Sequence, residues 1–160
     1  SNRVAATSVA ERERPSMSLR IIPLIIIPFI LYNVIGVLGG SGVADDTFRN
    51  VLFRIPMINN PVIDGKGGWA FSWGDFIILL TMITLFIELL KSTYTSTSSM
   101  VDHGLSMLIF IACLVEFIVT KQAQTSVFFF VMIAALIDVV AGFMIGIRTA
   151  RRDLNIGTDS

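Results

Sequence analysis

Three carboxylates, Glu88, Glu116 and Asp138, stand inside apolar stretches of this 160-residue chain, and Asp138 lies near the middle of Ser126–Ile147 with no basic residue at its depth. Acids in hydrocarbon are costly, and they serve as proton or cation routes or as polar contacts between helices. Taking about 1.5 Å per helical residue, Glu88 falls about 9 Å inward of its segment's centre, Asp138 about 2 Å inward and Glu116 about 7 Å outward. The acids are therefore staggered, which suits a relay or three separate pairings. A shared metal would need level carboxylates or Glu-x-x-His pairs. With one cysteine, Cys113, and one histidine, His103, the chain offers no ligand cluster, so neither metal nor cofactor is expected.

Partners at matching depth can be named. Asn33 lies in the outer half, as Glu116 does, and Thr81 and Thr84 lie near the depth of Asp138. Thr81, Thr84 and Glu88 share a face at i, i+3 and i+7, and Glu88 can reach a snorkelling Lys91 one turn on. Such interhelical bonds average about 0.6 kcal/mol each, so they specify packing more than they hold it. Small residues point the same way. Ala134, Asp138, Gly142 and Gly146 recur in steps of four and make one face of the last segment thin, while Gly36 and Gly40 form a second G-x-x-x-G. His103, beside Asp102 at a helix start, reads as an interface histidine because no nucleophile accompanies it. No nucleophile, base and oxyanion donors converge, so an enzyme ranks last among the readings.

The elements carrying these groups are set by lipid. Hydrophobic residues make up 54% of the chain and charged ones 15%, with a mean hydropathy of +0.77; a soluble domain carries about 25% charged residues. Net charge is zero, which gives no electrostatic footprint for nucleic acid. Four blocks, about Ile21–Gly40, Trp73–Lys91, His103–Thr120 and Ser126–Ile147, approach the roughly 20 residues that a bilayer requires. The expected fold is an all-α integral membrane protein, an antiparallel up-down bundle of four transmembrane helices. Residues 1–20 form an N-terminal tail, 21–147 the membrane domain with an outer loop 41–72, and 148–160 a C-terminal tail. No small-residue cleavage site follows the first basic residues convincingly, so the first segment is expected to be a retained anchor. With both termini cytoplasmic, eight Lys and Arg fall inside and four outside. Trp69 and Trp73 then mark the outer interface.

Local signals fill in the joints. Ser72-x-x-Asp75 predicts a capped start for the second helix, and Pro23 and Pro28 predict a bend in the first. Phe48, Val51, Leu52 and Ile55 predict a short amphipathic helix ending at Pro56, with a hairpin as the close alternative around Asn59-Asn60-Pro61 and Asp64-Gly65. The Ser/Thr-rich link Ser92–Met100 reads as a solvated turn. The short link Lys121–Thr125 makes the third and fourth helices antiparallel neighbours.

Several stretches together resemble uncharacterised small four-span inner-membrane proteins of proteobacteria: Phe71-Ser72-Trp73-Gly74-Asp75, Phe86-Ile87-Glu88, Val101 to Met107, Asp138 to Phe143 and Arg148 to Arg152. The resemblance implies a multi-pass protein of the bacterial inner membrane and carries no activity. The expected role is a non-catalytic accessory or scaffold subunit that packs against other membrane proteins or itself. The alternative is a small proton- or cation-coupled transporter or channel using the three acids.

Overall fold

Prolines decide where the first helix begins. Helix α1 runs from Ile26 to Leu38, with Pro28 at its third position. A first-turn proline gives up an N–H that has no intrahelical partner anyway. The expected bend is therefore replaced by a late start: Pro23 precedes the helix, and its carbonyl accepts the Ile26 N–H at 3.2 Å. The computed structural model describes residues 22–39, 44–94 and 99–158, which are mostly helical. Gly40 and the N-terminal tail lie outside the described residues.

Residues 44–72 correct the amphipathic-helix expectation in favour of its alternative. A short helix α2, Ala44–Arg49, ends before Val51, and Val51–Ile55 is strand β1, antiparallel to β2 at Trp69–Ser72. The i, i+3, i+4, i+7 pattern gave way because Val51, Phe53 and Ile55 also alternate, and Phe53 finds a cross-strand partner in Phe71. Their rings stack at 4.8 Å. Leu52 is the extra residue of a bulge between Val51 and Phe53. The far end of the hairpin turns at Asp64-Gly65, where φ values of 52° and 72° make the mirror-image turn that this dipeptide favours. The Ile63 and Lys66 backbones close it at 2.8 and 3.0 Å.

Helix α3, Trp73–Tyr94, starts at the predicted capping box: Ser72 N–H donates to Asp75 Oδ2 at 3.0 Å and Asp75 N–H to Ser72 Oγ at 3.2 Å. Helix α4, Ser99–Val119, begins four residues before the expected His103. Helix α5, Ser126–Thr158, opens on Thr125, whose Oγ1 accepts the Phe128 N–H. It continues past the expected end at Ile147, because no glycine or proline interrupts the sequence from Arg148 to Ile156. The C-terminal segment is thus helical through Thr158.

Two helices are long and apolar enough to cross a membrane, α3 over Trp73–Thr93 and α5 over Ser126–Ile145, while Ile26–Leu38 and His103–Val119 are shorter apolar helices. Helix α5 is the axis of the packing: α3 and α4 both lie along it, and α1 packs against α3 and α5. The six-residue link 120–125 sets α4 beside α5, as expected. Ala134 and Ala135 of α5 are buried with Ile25, and Leu85, Ile109 and Phe110 pack around them.

Candidate functional site

Glu88 is the most enclosed acid, 2% exposed on α3. Its Oε1 accepts the Leu24 N–H at 2.6 Å and lies 3.4 Å from Lys91 Nζ. Leu24 belongs to the turn that starts α1, so its amide is one of the donors a helix start leaves without an internal partner. A carboxylate from a different helix satisfies it and favours the positive end of the α1 dipole. The Lys91 contact follows from i, i+3 spacing. The Leu24 contact had no signal beyond the prolines that delay α1.

Asp138 is 4% exposed on α5. Thr81 and Thr84 are buried on α3 as well, but their hydroxyls turn to their own helix. Thr81 Oγ1 donates to Ile77 O at 2.7 Å and Thr84 Oγ1 to Thr81 O at 2.9 Å. Their expected role as donors to Asp138 is corrected accordingly. A buried Thr in a helix finds its nearest acceptor three or four residues back. Ser106 of α4 is a further buried hydroxyl that the sequence reading passed over.

Glu116 and Asn33 come together as matching depth predicted. Asn33 Nδ2 donates to Glu116 Oε2 at 3.3 Å and to Phe29 O at 2.9 Å. They sit in a groove of about 550 Å³ between α1 and α4, lined on the α1 side by Ile30, Val34, Val37 and Leu38. Neither Glu88 nor Asp138 lines this groove. The arrangement offers hydrogen-bonding oxygens within an otherwise apolar trough.

The glycines divide. At Gly142 a side chain would meet the His103 ring at 2.6 Å, so α4 crosses the thin face of α5 there, with His103 stacked on Phe143 at 5.0 Å. At Gly36 a Cβ would meet nothing within 4 Å, so no described element of this chain approaches closely there. Gly146 lies in α5 one turn beyond Gly142. A glycine with no assigned role, Gly74, is held by Val127 Cγ2, which a Cβ would meet at 2.9 Å.

Tyr32 was also missed. Its ring is 1% exposed and stacks on Phe48 at 4.3 Å, pinning α2 to the bundle. Its hydroxyl lies 2.7 Å from both Gln122 O and Thr125 Oγ1, tying α1 to the turn between α4 and α5. Tyr32→Phe is expected to destabilise the fold by about 1–3 kcal/mol, since it leaves buried partners unmet. Unfolding by SDS titration in mixed micelles measures it; an unchanged midpoint would show the latch to be idle.

Among the described residues no group of three or more His, Cys, Asp or Glu is placed to hold a metal ion. No family model, curated protein or solved structure matches the chain.

Proposed function

We propose that this chain is a four-span, non-catalytic membrane protein with cytoplasmic termini in a bacterial inner membrane, acting as an accessory or scaffold subunit that packs against other membrane proteins. The observation carrying the reading is the outward apolar surface. Leu79, Met82 and Phe86 on α3, Leu108, Val115 and Ile118 on α4, and Phe143 and Met144 on α5 are all exposed. Soluble monomers rarely present apolar surface on this scale, and hydrocarbon accepts it without cost. At about 1.5 Å per residue the 13 residues of α1 rise roughly 20 Å, so that helix crosses where the bilayer thins to meet it.

The acids fit a packing role. Glu88 joins α3 to the start of α1, and Glu116 joins α4 to the middle of α1. Each contact is between helices and satisfies a particular donor, as expected when polar groups fix register. The transport alternative predicts proton flux through the acids. In vesicles containing the purified protein and an internal pH dye, an imposed pH gradient is expected to decay as in protein-free vesicles. Faster decay that Asp138→Asn abolishes would replace this reading with transport. The same variant is expected to keep its assembly, because a carboxamide still donates and accepts hydrogen bonds.

A further inference from the structure

Asn33 spends its Nδ2 protons on Phe29 O and Glu116 Oε2. That leaves Asn33 Oδ1 and Glu116 Oε1, for which no hydrogen bond exists among the described residues. Both belong to residues lining the groove between α1 and α4, at a depth where lipid tails supply no donor. A polar group held in hydrocarbon finds its complement on another helix or forgoes the bond. An occupant with hydrogen-bonding groups at this depth supplies the missing complement.

We propose that the groove seats a second copy of this chain, related by a two-fold axis along the membrane normal, with the Asn33–Glu116 pairs of the two copies bonded across the axis. Such an axis places every residue of the second copy at the depth of its equal, so each pair meets its counterpart without any further coincidence. A carboxyl group carrying its proton donates and the open carboxamide oxygen accepts, so the Glu116 of each copy can bond the Asn33 Oδ1 of the other. The aliphatic stripe of Ile30, Val34 and Val37, at i, i+4 and i+7 and exposed along α1, supplies the packing around them. The proposal rests on the membrane reading above and names the surface through which that reading operates.

Oxidative cross-linking in native membranes tests it. The natural Cys113 is 0% exposed and serves as the background. Ile30→Cys, Val34→Cys and Val37→Cys, examined one at a time, are expected to give a disulfide-linked dimer at one or more positions, whereas Phe86→Cys on the outer face of α3 stays monomeric. Adding Glu116→Leu to the cross-linking variant should lower dimer yield about tenfold, and Glu116→Gln should retain it. Monomers at all three α1 positions, equal cross-linking at Phe86, or equal yields with Leu and Gln would overturn the proposal. A chain that stays monomeric in carbonate-washed membranes refutes the pairing alone. A chain released by carbonate refutes the membrane reading itself.

Discussion

Glu88→Leu is expected to destabilise the protein by about 2–4 kcal/mol, because it leaves a helix-start amide and an ammonium group without their carboxylate. The larger share comes from Leu24, whose N–H has Glu88 Oε1 at 2.6 Å as its acceptor. Lys91 contributes less, since its side chain is 30% exposed and can turn to the interface. Glu88→Gln separates the two contributions. Its carboxamide oxygen still accepts the Leu24 N–H, so only the ion pair is lost and the expected loss is about 1 kcal/mol. SDS titration of the purified protein in mixed micelles reads both variants. Equal losses for Leu and Gln would show that the charge, and not the amide contact, fixes the start of α1.

Gly142→Leu should cost about 1–3 kcal/mol by overpacking the crossing of α4 and α5. Even the first carbon of the new side chain would stand 2.6 Å from His103 Cε1 and 2.8 Å from Nδ1. The His103 ring must then leave its place on Phe143 or push the helices apart. Gly142→Ala is a milder insult, because the imidazole can swing on its own rotatable bonds and alanine returns up to about 1 kcal/mol of helix propensity. The crossing also predicts coupling. His103→Ala combined with Gly142→Leu should lose less stability than the two single changes added together, by about 1 kcal/mol. Strict additivity in the same titration would mean that His103 does not rest on Gly142.

The apolar elements were legible because each is a long run of apolar residues. Trp73 was placed as a start by the Ser72-x-x-Asp75 pattern and Ser126 by the edge of its apolar run, and both helices begin there. Other boundaries slipped. Helix α1 starts five residues later than expected, since the prolines were read as a kink when one of them sits in the first turn. Residues Phe48–Ile55 carry a pattern that fits either period, and only the aromatic partner on β2, distant in sequence, decides for a strand.

The polar site was legible in part, and the division has a physical cause. Depth along a helix follows from residue count, so Asn33 could be matched to Glu116 and Lys91 to Glu88. Rotation about the axis and long-range backbone contacts do not follow from it. Thr81 and Thr84 had the right depth but found acceptors on their own helix. Leu24 could not be foreseen as a partner of Glu88, because its donor is a main-chain amide whose availability depends on where α1 begins. Tyr32 gave no periodic signal and drew no notice, although its hydroxyl joins two distant segments.

Thiol accessibility in intact cells tests the four-crossing topology most directly. Asn59→Cys in the hairpin, Thr93→Cys near the end of α3, Gln124→Cys in the turn before α5 and Arg151→Cys beyond the inner end of the last span all replace exposed residues, and the natural thiol is buried. A membrane-impermeant maleimide is expected to label positions 59 and 124 on intact cells, and positions 93 and 151 only after the membrane is opened. Labelling of 59 and 124 from different sides, or of 93 from the same side as 59, would contradict four crossings.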